Sequence, residues 1–74
     1  MQLEFTRNAM ARMAERGIEA AAVEAALETP DRLSPCFEKC WHARKVLEGR
    51  RLEVIFTRSL MHALVVTAYW QESP

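Results

Sequence analysis

The first part of the chain has the hydrophobic spacing of two short helices. One helix is predicted over residues 7–16, with Thr6 as its N-cap and Gly17 as its stop, because glycine adopts positive φ without penalty. A second, alanine-rich helix is predicted over residues 19–28, ending before Pro30. The side chains expected to face the core are Met10, Met13, Ala14, Val23, Ala26 and Leu27.

The second part of the chain alternates as strands do. Residues 42–47 and 51–57 predict two strands joined by a turn at Glu48-Gly49-Arg50. Residues 62–70 are apolar on both faces, which predicts a central strand covered on both sides. A short or irregular strand over residues 32–39 is a further option.

Together these segments predict a single domain over residues 1–74. Its expected class is α+β, with two N-terminal helices packed on a three- to four-stranded antiparallel sheet. A chain of this length builds a modest core, so help from a partner or a second copy is an open alternative.

Composition and charge narrow the choice of partners. Ten basic and ten acidic residues cancel, so a nucleic-acid site has to be a local patch. No apolar run approaches the roughly 20 residues that span a membrane, and the first residues do not resemble a signal peptide. We therefore expect a cytoplasmic protein that does not contact the membrane.

Metal and nucleophile chemistry are not favoured by the sequence. In an extended strand Cys36 and Cys40 lie about 13 Å apart, too far for a shared zinc ion with His42 or for a disulfide. A tight bend at Glu38-Lys39 could bring them together, but neither residue favours such a turn. We expect free thiols, no metal and no cofactor. No nucleophile-elbow motif is present, and an acidic second helix argues against a helix-turn-helix that enters DNA.

Basic residues are the remaining feature with chemical meaning. They occur on the first helix and around the first clear hairpin, and the simplest interpretation is a solvated surface. The alternative is a basic groove between the start of the first helix and the sheet, which would hold an RNA backbone. His42, His62, Tyr69 and Lys45 are the available proton carriers, and Trp41, Tyr69 or Trp70 could stack on a base.

Three segments carry a family resemblance. They are FTRNAMARMAERGI (residues 5–18), VLEGRRLEV (residues 46–54) and VVTAY (residues 65–69). In this succession the chain resembles a family of short uncharacterised bacterial domains grouped with the RelE/ParE toxins and the barnase–colicin–RelE ribonucleases. The resemblance implies a RelE-like fold, a toxin role in a toxin–antitoxin system, RNA as substrate and an antitoxin protein as partner.

The resemblance also suggests roles for individual residues. Asn8 stands where the family commonly has a histidine, and asparagine binds a phosphate but does not shuttle a proton near neutral pH. This substitution predicts weakened or lost catalysis. The expected catalytic residues are Lys45, Arg51, Tyr69 and His42, and the expected substrate-binding residues are Arg7, Asn8, Arg12 and Arg44.

Two other functions remain open at this point. One is a non-catalytic protein-interaction or self-associating module, possible as a homodimer through an exposed sheet edge. The other is a ParE-like poison that binds an enzyme and cuts nothing. Clustering of Arg7, Arg12, Lys45 and Arg51 in one concave site favours the ribonuclease. Their dispersion over the surface, with an apolar patch elsewhere, favours the module.

Overall fold

A computed structural model describes residues 2–59 and 61–71 of the chain. Within them, two helices follow a first strand and precede four more. The elements are β1 (Gln2–Phe5), α1 (Arg7–Arg16), α2 (Ala20–Glu28), β2 (Arg32–Pro35), β3 (Cys40–Leu47), β4 (Arg50–Ser59) and β5 (His62–Gln71). Neither described helix is long and apolar enough to cross a membrane.

Local chemistry sets the ends of the first helix as predicted. The Ala9 N–H donates to Thr6 Oγ1 at 3.0 Å, so Thr6 caps the helix at its start. Gly17 ends it in the left-handed region at φ 65°. The second helix begins one residue later than predicted, because Glu19 keeps an extended backbone and acts as N-cap.

The predicted antiparallel sheet of three to four strands is wrong. The described strands form one five-stranded mixed sheet in the order β1-β5-β4-β3-β2, with β1 parallel to β5 and the other neighbours antiparallel. The RelE-like fold expected from the resemblance is corrected with it. The prediction missed β1 because this four-residue strand pairs with residues about 60 positions away (Gln2 with His62).

Both helices pack on one face of the sheet. Val54 and Phe56 of β4 and Ala68 of β5 lie in one buried cluster with side chains from α1 and α2. The prediction that β5 is covered on both faces is therefore wrong, although β5 does lie between two strands. We call the sheet face turned away from the helices the open face.

The predicted core of the helices is partly right. Val23, Ala26 and Leu27 of α2 are buried as expected, and so is Met13 of α1. Met10 is 55% exposed and Ala14 is also exposed, whereas Ala9 is buried. The residues that face the sheet in α1 are thus Ala9 and Met13, four apart on one side of the helix.

A tight turn sets the register of the β3–β4 hairpin. Glu48 and Gly49, at φ 51° and 80°, form a two-residue turn that places Leu47 opposite Arg50. The β4–β5 ladder shifts between Ile55 and Phe56, which is a bulge.

The expectation that the two cysteines stay as thiols is wrong. Cys36 and Cys40 form a disulfide with their Cα atoms 5.2 Å apart. Glu38 and Lys39 both take positive φ, 52° and 66°, and so fold the chain back. This tight bend replaces the extended geometry that separates residues four apart by about 13 Å.

Candidate functional site

The alternation of side chains along β3 and β4 brings several charged residues together on the open face. In β3 the residues on this face include His42 and Arg44, because Ala43 between them is buried against the helices. The register pairs Arg44 with Glu53 of β4, whose sequence neighbours Leu52 and Val54 both face the core. Glu53 is therefore placed beneath the open face by the same register that builds the core.

Glu53 is the chemical centre of this group. It is 1% exposed, and it is the one buried charged residue among those described. Arg44 Nε donates to Glu53 Oε2 at 2.8 Å. The His42 ring bonds through Nε2 to the other carboxylate oxygen, Oε1. Both carboxylate oxygens are thus occupied, as burial of a charge requires.

These hydrogen bonds determine which ring nitrogen of His42 keeps a free lone pair. An ionised carboxylate only accepts hydrogen bonds, and one oxygen of Glu53 accepts from the Arg44 guanidinium. The His42 Nε2 atom must then carry the hydrogen. The Nδ1 atom keeps its lone pair, and Glu53 fixes both the tautomer and the ring orientation.

A cavity of about 210 Å³ lies over this group, lined by Arg32, Ser34, His42 and Arg44. Its walls are two neighbouring strands, because Arg32 pairs with Arg44 and Ser34 pairs with His42 across β2 and β3. The lining is polar and basic. The cavity is therefore suited to an anion that accepts hydrogen bonds.

The paired arginines strengthen this conclusion. Like charges directly opposite each other on neighbouring strands are destabilising. Glu53 compensates Arg44, whereas Arg32 has no hydrogen bond or ion pair in the part of the chain that the structure describes. An anion bound between the two guanidinium groups would remove the repulsion and accept several charge-assisted hydrogen bonds.

Four of the predicted site residues lie on the open face. His42 and Arg44 form the cavity, and Tyr69 of β5 pairs with Glu53 on its other side. Arg51 lies two residues before Glu53 and so shares its face. The Arg51 Nε atom is buried without a hydrogen-bond partner among the described residues.

The other predicted site residues lie elsewhere. Lys45 follows Arg44 and points to the helix side, where Nζ donates to the Thr29 carbonyl at 2.8 Å. Arg12 forms an exposed ion pair with Glu15 on α1 at 3.1 Å.

Arg7 and Asn8 occupy exposed positions at the start of the same helix. Because α1 packs against the opposite sheet face, these residues do not join the cavity, and the predicted groove between the first helix and the sheet is wrong.

Three residues of the site were missed from the sequence: Arg32, Ser34 and Glu53. A sequence signal did exist for Glu53, which is the one charged residue in the apolar run Leu52-Glu53-Val54-Ile55-Phe56 (residues 52–56). Such a residue marks either an exposed face or a buried, paired charge. Arg32 and Ser34 lie on a short edge strand with no clear alternation, so the sequence offers no comparable indication for them.

Comparison with known proteins places the chain in a family. It matches the family described as Domain of unknown function (DUF4258) over residues 5–70, and it belongs to that family. No curated protein and no solved structure matches the chain. The family match includes every segment that carries the sequence resemblance, and it makes no link to the RelE/ParE toxins.

Proposed function

We propose that the chain is a ribonuclease that cleaves RNA by attack of the 2′-hydroxyl on the adjacent phosphate. One observation carries the proposal: a fully buried carboxylate, Glu53, holds His42 and Arg44 at the floor of a basic cavity. Cleavage of this kind needs an oriented base, a proton donor and cations at the phosphate, and side chains supply all three.

The residues take distinct roles in this proposal. His42 Nδ1 is the general base, because Glu53 leaves it with a free lone pair. Arg44 and Arg32 bind the phosphate and stabilise the charge that develops on its oxygens. Tyr69, across the ladder from Glu53 on the same face and outside the cavity lining, is assigned as the proton donor. Glu53 is a positioning residue, because it lies beneath the cavity.

The proposed reaction balances without another reactant. His42 takes the proton of the 2′-hydroxyl, the 2′-oxygen bonds to phosphorus, and the bond from phosphorus to the 5′-oxygen breaks. Tyr69 gives its proton to the departing 5′-oxygen and regains one through solvent from His42. The products are a 2′,3′-cyclic phosphate and a 5′-hydroxyl end.

Asn8 and the zero net charge of the chain both argue against the site predicted from the sequence, and neither argues against a site at His42. Asn8 cannot act as a base, but in this arrangement His42 takes that role on the other face of the sheet. The zero net charge of the chain is compatible with RNA binding, because basic residues gather locally around the cavity.

Purified protein and a short fluorogenic RNA test this function. We expect cleavage with a cyclic-phosphate product, and no cleavage when the nucleotide at the scissile bond lacks its 2′-hydroxyl. His42→Ala lowers kcat by at least about a hundredfold, the contribution of a general base. Glu15→Gln, in an exposed pair on α1, is purified in parallel and retains activity. Equal activity of His42→Ala and Glu15→Gln would show a contaminating nuclease and end the proposal.

A toxin role extends the proposal to the cell. Controlled expression of the wild type is expected to arrest growth and to degrade RNA, and His42→Ala is expected to do neither. Arrest with intact RNA in both strains would support a poison that acts by binding instead. Normal growth with a folded wild-type protein would remove the toxin role and leave the enzymatic test to decide the chemistry.

A second candidate function is a non-catalytic interaction or self-associating module. Dispersion of Arg7, Arg12 and Lys45 away from the cavity is the pattern that this alternative predicted. Among the described strands, β2 lies at one edge of the sheet beside β3, and it exposes Leu33. Light scattering tests it: a stable dimer that Leu33→Lys dissociates, from a protein that cleaves no RNA, would favour the module.

A further inference from the structure

The β2–β3 hairpin ends in a covalently closed tip beside the proposed active site. Ser34 and His42 are paired on the open face. Two residues closer to the end of the hairpin on each side, Cys36 and Cys40 form the disulfide. The Cys36 N–H also donates to the Cys40 carbonyl at 2.9 Å, which continues the ladder. Phe37, the first residue within the closed turn, is 89% exposed.

The backbone of this tip is held in an unfavourable conformation. Glu38 and Lys39 both have positive φ, although neither is glycine, asparagine or aspartate. The Cys40 N–H donates to the Phe37 carbonyl at 3.2 Å and closes the turn. Disulfide and hydrogen bonds together fix a conformation that the sequence alone disfavours. The exposed aromatic ring is therefore carried on a preorganised support, which lowers the entropy cost of binding.

A second cleft adjoins the tip on the same face of the sheet. Its volume is about 420 Å³. Its lining includes two cations, Lys39 and Arg58, two carboxylates, Glu4 and Glu38, and the side chains of Thr57 and His62. Thr57 pairs with Cys40, which is two residues from His42 along β3. The second cleft is thus displaced by about 7 Å along the strand, and it also lies across the sheet, over β4 and β5 instead of β2 and β3. Lys39 supplies a cation for a phosphate at that position.

We propose that this tip is a second nucleotide subsite, in which Phe37 stacks on an unpaired base next to the scissile phosphate. The proposal rests on the ribonuclease function and names its substrate class as single-stranded RNA. Stacking on an aromatic ring needs a base with a free face, and bases inside a duplex have none. The neighbouring phosphate lies in the cleft beside Lys39.

Binding of a non-cleavable strand tests the subsite without catalysis. The probe is a fluorescein-labelled single-stranded oligonucleotide made entirely of 2′-deoxy nucleotides, followed by fluorescence anisotropy with the oxidised protein. Phe37→Ala raises Kd about tenfold, the effect of losing one base–aromatic stack. Phe37→Leu also raises Kd, because leucine keeps an apolar side chain without the ring. A duplex of the same length binds more weakly than the single strand.

The matched control is Met61→Ala. Met61 is 73% exposed and precedes β5, outside the tip, and its removal leaves Kd within about twofold. Thermal unfolding by circular dichroism confirms that each variant is folded, which is expected because Phe37 contributes little buried surface. A Kd for Phe37→Ala equal to that of Met61→Ala, or a duplex bound as tightly as the single strand, would overturn the subsite.

The experiment separates this inference from the function on which it rests. If RNA is cleaved and Phe37→Ala binds the probe as the wild type does, the subsite is wrong and the ribonuclease stands. If the wild type binds the probe through Phe37 and cleaves no RNA, the subsite stands as a single-strand binding site and the ribonuclease falls. Capture of a protein instead of the probe at the tip would contradict the subsite.

Discussion

Replacement of Glu53 by glutamine tests the arrangement at the centre of the proposed site. Glutamine has the shape of glutamate without its charge, so packing around position 53 is retained. One amide oxygen can still accept a hydrogen bond from Arg44 or His42. The amide nitrogen then faces the other donor, so at least one charge-assisted bond is lost.

The magnitude follows from the exposure of the two partners. Removing one member of a fully buried ion pair costs about 3–5 kcal/mol, since the remaining charge stays buried. Here the side chains of His42 and Arg44 are 28% and 33% exposed, so both can turn partly to water. We therefore expect a loss of about 2 kcal/mol in the free energy of unfolding, toward the value of one charge-assisted hydrogen bond. In a domain of this size the melting temperature falls by roughly 10 °C.

Thermal and urea unfolding followed by circular dichroism measure this loss. Glu15→Gln is the matched control, because it removes an exposed ion pair with Arg12 on α1. Such a pair contributes about 0.5 kcal/mol or less, so the control shifts the melting temperature by only a few degrees. The two substitutions change the same atoms and the same charge. Their difference isolates burial and the double hydrogen bond.

The same substitution, Glu53→Gln, is also expected to lower the rate of RNA cleavage. When the amide oxygen accepts from Arg44, the amide NH2 group faces His42 Nε2 and no longer fixes the tautomer with Nδ1 free, so kcat falls at least about a hundredfold. The KM value changes much less, because Arg32 still binds the phosphate and Glu53 does not touch it. Equal melting temperatures for Glu53→Gln and Glu15→Gln, or an unchanged kcat, would refute the reasoning.

Three further predictions follow from single contacts. Arg44→Met abolishes RNA cleavage whereas Lys45→Met preserves it, because only Arg44 lines the cavity. Equal losses of kcat/KM in the two variants would favour the site predicted from the sequence, which includes Lys45. Gly17→Ala costs about 1 kcal/mol in urea unfolding, since no atom obstructs a Cβ there and the penalty is that of φ 65° alone; a neutral result would contradict the strain argument. Reduction of Cys36–Cys40 by a dithiol weakens binding of the single-stranded probe in the anisotropy assay, and an unchanged Kd would show that the tip is ordered without its disulfide.

The features that the sequence predicted well are those set by neighbouring residues. Thr6 caps α1 and Gly17 ends it, because each effect depends on a few residues of local backbone. The β1 strand was missed because four residues have little intrinsic preference, and their partner in β5 lies near the other end of the chain. The sheet was expected to be antiparallel because hairpins are visible in sequence and a parallel pairing between distant segments is not.

The disulfide was missed for a different physical reason. Four residues of extended chain keep two cysteines apart, and only two successive residues at positive φ bring Cys36 and Cys40 together. Glutamate and lysine rarely adopt that conformation, so a bend at Glu38-Lys39 was conceivable from the sequence but not favoured. Formation of the bond and the tertiary setting of the hairpin compensate a local preference that points the other way.

The pairing of Glu53 with Arg44 depends on two features that can be reasoned from the sequence, the length of the turn and the burial of position 53. A two-residue turn at Glu48–Gly49 places Leu47 opposite Arg50, and each step back along the hairpin then fixes the next pair, ending with Arg44 opposite Glu53. The predicted three-residue turn at Glu48-Gly49-Arg50 would shift the register and separate this pair. Burial decides the rest: Glu53 is bounded by core residues on both sides, and a charge at that depth needs partners on the neighbouring strand. Register and desolvation together therefore identify Arg44 and His42 as the partners of Glu53. A count of basic residues selects Lys45 equally, although the pleat of β3 turns Lys45 to the other face of the sheet.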